Sequence, residues 1–112
     1  MLVVVVAILF LLLGIHISGH SISIHHKHSK HDNTPQPVHF HMSGSAAGSV
    51  VSRNLVTNSY QRCYVVHGTN DVVLDSNVCY NHFGHGFLLE DHSERNNVLQ
   101  NNLVAVTKKV FT

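Results

Sequence analysis

Asn54-Leu55-Val56-Thr57-Asn58 and Asn77-Val78-Cys79-Tyr80-Asn81 share one pattern, two asparagines enclosing an apolar pair, at an offset of 23 residues. Asn102-Leu103-Val104 begins the pattern again, 25 residues further on. At the 23-residue offset, residues 50–67 and 73–90 form eighteen pairs, and eight of these are apolar in both copies. A chain that is 44% apolar gives about 3 to 4 such pairs by chance, so the offset is a structural period. The third copy comes into register only with two extra residues, which the polar stretch Glu90–Asn97 accommodates. A period of this size belongs to chains that wind in stacked coils.

The coils read as β-structure. The apolar runs after residue 40 are short, rich in Val, Tyr and Phe, and bounded by Asn, Gly, Ser and Asp. None shows the i, i+3, i+4, i+7 spacing of an amphipathic helix. Asparagine tolerates the left-handed backbone of a tight turn, and stacked asparagines can hydrogen-bond up a ladder. Asn54, Asn77 and Asn102 are expected to form such a ladder, with Leu55, Val78 and Leu103 stacked inside. An ordinary β-sandwich with asparagines in its turns is the competing arrangement.

The chain of 112 residues has room for one domain, and its formal net charge is +1. With seven Lys plus Arg and no basic stripe, a nucleic-acid surface is not expected. Leu2 to Leu13 is an unbroken apolar run, short of the about 20 residues of a membrane span but of the length of a secretory signal core. Residues 1–19 therefore read as a signal peptide or an uncleaved signal-anchor, residues 20–36 as a His-rich linker, and residues 37–112 as the β-coil. Such a leader places the chain outside the cell or in a lumen, with membrane contact if it is uncleaved. Cys63 aligns with Gly86 and Cys79 with Val56. The two cysteines thus occupy different columns, and both read as small buried residues with no bridge between them.

Three groups of residues can carry chemistry. His25, His26, His28 and His31 crowd the linker, and imidazole-rich tracts take up zinc or copper loosely; a solvated linker is the plainer reading. Val38-His39-Phe40-His41-Met42 alternates, which places His39 and His41 on one outer strand face, with Val38, Phe40 and Met42 turned inward. The 23-residue offset sets His67 in the same column as Glu90, one coil away, at a backbone separation of about 4.8 Å. A carboxylate so near favours the protonated imidazole, and a paired histidine can act as a general acid. Asp91 follows directly. A surface ion pair that keeps the coils in register is the alternative.

Pro37-Val38-His39-Phe40-His41, Gln61-Arg62-Cys63-Tyr64-Val65-Val66-His67-Gly68, Tyr80-Asn81-His82-Phe83-Gly84-His85-Gly86-Phe87-Leu88-Leu89-Glu90-Asp91 and Glu94-Arg95-Asn96 occur in that order. Over about residues 37–106 they resemble the β-helix region shared by the cell-migration-inducing hyaluronan-binding protein and the transmembrane cell surface hyaluronidase; fibrocystin-like proteins carry a related region. The resemblance implies a right-handed parallel β-helix, an extracellular setting, hyaluronan or another glycan as partner, and calcium as the cofactor of hyaluronan depolymerisation. It marks His67, Glu90 and Asp91 as candidate catalytic residues and His39, His41 and His85 as candidate substrate contacts.

The expectation from the sequence is an all-β, partial right-handed parallel β-helix of about two to three coils behind an N-terminal hydrophobic helix. Its function is that of a fragment of a hyaluronan-binding or -depolymerising domain, not active alone. A non-catalytic glycan-binding or scaffold module and a His-rich metal-binding protein are the alternatives.

Overall fold

The computed structural model describes residues 4–6, 16–23 and 36–109, and all regular structure in them is β-strand. The strands form three parallel sheets of four strands each. The first sheet contains β1 (Val4–Val6), β4 (Val38–Ser45), β7 (Tyr64–Asn70) and β10 (Phe87–Leu89). The second contains β2 (His16–Ser18), β5 (Val50–Ser52), β8 (Val73–Asp75) and β11 (Val98–Gln100). The third contains β3 (Ser21–Ser23), β6 (Leu55–Thr57), β9 (Val78–Phe83) and β12 (Leu103–Lys108). Consecutive strands go to successive sheets, and every third strand returns to lie parallel on the one three before it. That is a parallel β-helix with one strand of each sheet per coil.

The repeat read from the sequence is the register. Val50 pairs with Val73, Leu55 with Val78 and Tyr64 with Phe87, all at the 23-residue offset. Leu89 still pairs with Val66 at that offset, whereas Val98 pairs with Val73 at 25. The two inserted residues therefore lie between Leu89 and Val98, in the polar stretch where the alignment requires them.

Asn54 and Asn77 are buried and form the expected ladder with Asn102. Asn54 Nδ2 donates to Asn77 Oδ1 (3.1 Å) and Asn77 Nδ2 to Asn102 Oδ1 (3.2 Å). The backbone N–H of Asn54 and of Asn77 donate to the same two oxygens, at 3.1 and 2.8 Å. Each Nδ2 also donates to a carbonyl of the preceding coil: Ile17, Val51 and Leu74, at 3.2, 2.9 and 2.9 Å. Each corner thus satisfies its own polar groups inside the coil, where an unpaired one costs about 1–3 kcal/mol.

Because the asparagines point inward, the period-2 alternation turns the next residue outward. Leu55 and Val78 are half-buried and Leu103 is exposed, while Val56 and Cys79 are buried; the expected inward stack of Leu55, Val78 and Leu103 is corrected by one residue. The core is made by Val38, Phe40, Val51, Val56, Tyr64, Val66, Val72 and Leu74 with both cysteines. Tyr64 stacks on Phe87 with ring centroids 4.7 Å apart, and its hydroxyl lies 3.1 Å from the carbonyls of both Asn54 and Val78. Burial pushes its pKa well above the usual phenol value.

Left-handed residues occupy the corners in columns. Arg53, Ser76 and Asn101 have φ of 54, 59 and 56°, and Asn58, Asn81 and Val106 have 56, 55 and 58°. Asn81 Nδ2 donates to Asn58 Oδ1 at 2.6 Å, a second asparagine contact between coils. The third member of that column, Val106, is a residue type that this conformation disfavours.

Three further expectations are corrected. Val4–Val6 and His16–Ser18, anticipated within an N-terminal helix, are strands paired with β4 and β5; β-branched valines suit that conformation. Within residues 37–109 the stack has three coils, as expected, and β1–β3 add a fourth strand to each sheet. Met42 is not inward but 58% exposed, because the β4–β7 register shifts between His41 and Gly44 and Met42 takes a φ of 51° in the bulge. Cys63 and Cys79 form a disulfide, with Cα atoms 5.9 Å apart. Cys63 sits at the corner that leads into β7, and Cys79 lies on Val56 in the adjoining sheet. The bridge therefore runs around a corner and up one coil, a path that comparison within a single column misses.

Candidate functional site

On the outer face of the first sheet, strand alternation sets His41, His67 and Glu90 in one column and His39, Val65 and Leu88 in the next. His41 pairs with His67 and His39 with Val65, and Glu90 N–H donates to Val66 O (3.0 Å), which continues the β10–β7 ladder. Val65 is 1% exposed although it faces outward, so the face has an apolar floor.

The three histidines converge. The rings of His41 and His67 lie edge to face with centroids 4.7 Å apart, those of His39 and His41 at 5.2 Å, and those of His39 and His67 are parallel at 6.2 Å. His67 Nε2 lies 2.9 Å from Asp91 Oδ2, and its Nδ1 lies 3.9 Å from Glu90 Oε2. The other oxygen of Glu90 accepts from Arg62 Nη1 at 3.3 Å. His39 Nε2 is buried without a hydrogen-bond partner. Burial lowers the pKa of His39 and His41 beside it lowers it further, while the Glu90 carboxylate opposes the shift.

Glu94 builds the turn that carries Asp91. Its Oε1 accepts from the N–H of Asp91 (2.9 Å) and from the N–H of Gly68 (3.0 Å), which ties the residue after Glu90 to the residue after His67. The backbone bond from Asp91 is the largest of the effects that hold the Glu94 carboxyl down at about 2.

The structure thus brings together His39, His41, His67, Glu90 and Asp91, five of the six residues singled out from the sequence outside the linker. His85 stays apart: it is exposed at the corner before β10, at the opposite end of that strand from Glu90, and its carbonyl accepts from Cys63 N–H. His25, His26, His28 and His31 lie outside the described residues. Arg62 and Glu94 were not anticipated as site residues. By offset Arg62 aligns with His85, and only its long side chain carries its charge to Glu90.

Chemically, both carboxylates are engaged, Asp91 by His67 and Glu90 by Arg62. A two-acid glycosidic cleavage needs one free carboxylic acid and a second carboxylate across the scissile bond. The same contacts occupy His67 and one nitrogen of Arg62, which leaves His41 and the remaining guanidinium N–H groups to meet a ligand's hydroxyls or carboxylate. Calcium needs six to eight oxygen ligands, which this imidazole-rich cluster does not supply. Away from this face, a groove of about 170 Å³ is lined by Asn58, Ser59, Tyr60, Asn81, Phe83 and Lys108. In it the Tyr60 and Phe83 rings stack with centroids 5.7 Å apart.

The fold and the face together define a parallel β-helix module with a histidine–carboxylate cluster on one sheet. The sequence matches the family described as CEMIP beta-helix over residues 21–112, and the chain belongs to that family. Among curated proteins, it is 49% identical over 69 residues to Communication mutant protein F of Dictyostelium discoideum, covering 62% of this chain and 6% of that protein. Protein rliB of the same organism is 45% identical over 69 residues, again 62% of this chain and 6% of the relative. Cell surface hyaluronidase CEMIP2 of Homo sapiens is 35% identical over 79 residues, 64% of this chain and 6% of that protein. The chain therefore spans a small part of the length of each of these relatives. No solved structure matches it.

Proposed function

We propose that this chain is an extracellular glycan-binding β-helix module of the hyaluronan-processing type, and that by itself it binds the polymer without cleaving it. The observation that carries this reading is the convergence of His39, His41 and His67 with Arg62 on one outer sheet face. A regularly spaced uronate polymer laid along that face meets imidazole N–H groups for its hydroxyls and a guanidinium for a carboxylate. Family membership and the name of the human relative, a cell surface hyaluronidase, support hyaluronan as the polymer. The engaged state of Glu90 and Asp91 supports binding over cleavage.

The Cys63–Cys79 disulfide supports an oxidising compartment. Among the described residues, no helix is long and apolar enough to cross a membrane.

The test is retention on immobilised hyaluronan, with the soluble polymer sized after incubation with Ca²⁺. The parent chain is retained and the polymer keeps its length. R62Q and H41Q weaken retention, whereas Y60A, in the aromatic groove, leaves it unchanged. Shortened polymer, or retention lost only in Y60A, would overturn the reading.

A further inference from the structure

We propose that His39, His67 and Glu90 form a binding site for a divalent transition metal of the zinc class, with Asp91 as the positioning residue that orients His67. One ligand atom from each of the three lies within 4.8 Å of the other two. Donors around a tetrahedral zinc at about 2.0–2.2 Å stand roughly 3.3–3.6 Å apart. His67 Nδ1 and Glu90 Oε2 are already 3.9 Å apart, and the set closes when the side chains draw together from separations of up to 4.8 Å.

Each donor is left available by its other contacts. Asp91 holds His67 at Nε2 (2.9 Å), which leaves Nδ1 for a metal. This is the arrangement in which a carboxylate fixes the tautomer and orientation of a ligating histidine. Arg62 takes Glu90 Oε1 and leaves Oε2. His39 Nε2 is buried and bonded to nothing, although buried polar atoms almost always have a partner. A metal would satisfy it.

The donor set selects the ion. Two imidazoles and one carboxylate suit zinc and its neighbours and do not suit calcium. Three protein ligands leave a fourth position for water or for an oxygen of a bound molecule. The other close grouping of such residues among those described, Cys63, Cys79 and His82, has its two thiols joined in the disulfide.

This inference goes beyond the glycan reading and is tested without any glycan. The full chain, carrying H25N, H26N, H28N and H31N so that the linker histidines cannot contribute, is titrated with Co²⁺ and then with Zn²⁺, followed by absorption and calorimetry. One equivalent binds, with the visible bands of low-coordinate cobalt, and Zn²⁺ displaces it. H39Q, H67Q and E90Q each lower the affinity at least about tenfold, and D91N lowers it by about ten- to a hundredfold. H85Q leaves it unchanged. Circular dichroism and an intact disulfide show that each variant is folded. No binding by the parent, equal affinity in the folded H39Q and H67Q variants, or Ca²⁺ bound as tightly as Zn²⁺ would overturn the proposal.

Discussion

Asn77 Nδ2 donates to Asn102 Oδ1, while Asn77 Oδ1 accepts from both the backbone N–H and the Nδ2 of Asn54. The side chain therefore serves three coils at once from a position with no exposed surface. Asn77→Ala leaves the buried backbone N–H of Asn54 without its acceptor and removes one of the two acceptors of Asn54 Nδ2 and the side-chain donor to Val51 O, a buried polar group left unpaired costing about 1–3 kcal/mol. The variant is expected to lose at least about 2 kcal/mol in urea unfolding, much more than a surface substitution.

Gly68 has a φ of 55°, and a Cβ there would stand 2.6 Å from Met42 Sδ. The steric contact is with the end of a flexible chain, whereas the backbone cost of a left-handed alanine is about 1–2 kcal/mol. Gly68→Ala should therefore destabilise the chain, and adding Met42→Ala should restore only a minor part. Thermal melts of the two variants check this; full rescue would show that the contact, and not the backbone, sets the cost.

Val106 completes the left-handed column begun by Asn58 and Asn81, with a φ of 58°. Asparagine tolerates this conformation better than a β-branched residue does. Val106 is also half exposed, so little burial is lost on replacing it. Val106→Asn is expected to stabilise the chain by about 1 kcal/mol, read as a higher melting temperature.

Glu94 gives stability a defined acid limb. Its folded carboxyl titrates at about 2 against an ordinary value of 4.5, because the Asp91 N–H, first among several backbone donors, holds the anion. The unfolded chain takes up this proton first as pH falls, so the contribution is complete above about 4.5 and is lost as pH falls towards 2. Glu94→Gln should flatten the dependence of stability on pH within that window, as measured by urea unfolding at a series of pH values.

The backbone plan of the coil was legible in the sequence because parallel stacking turns residue offset directly into strand register. That is why the Asn54–Asn77–Asn102 ladder and the stacking of His67 and Glu90 follow from counting. The inward or outward sense of each residue was less legible. Placing the asparagines at surface turns shifts the alternation by one and sends Leu55 and Val78 inward, when buried side-chain amides reverse it. The bulge at Met42 arises from a single extra residue in β4 and has no signature in composition. Cys63–Cys79 and Arg62–Glu90 are contacts made around a corner and along a strand, which depend on coil cross-section and side-chain reach. The approach of His39 to His67 is of the same kind, since the two belong to neighbouring columns and meet through ring orientation.

The central claim is that the His39–His41–His67 face receives the glycan. Titration of a short hyaluronan oligosaccharide into the ¹⁵N-histidine-labelled chain, followed through the imidazole resonances, tests it most directly. The account predicts saturable shifts at His39, His41 and His67 with none at His85 or at the buried His82. Shifts absent from those three rings at saturation, or confined to residues around Tyr60 and Phe83, would contradict it.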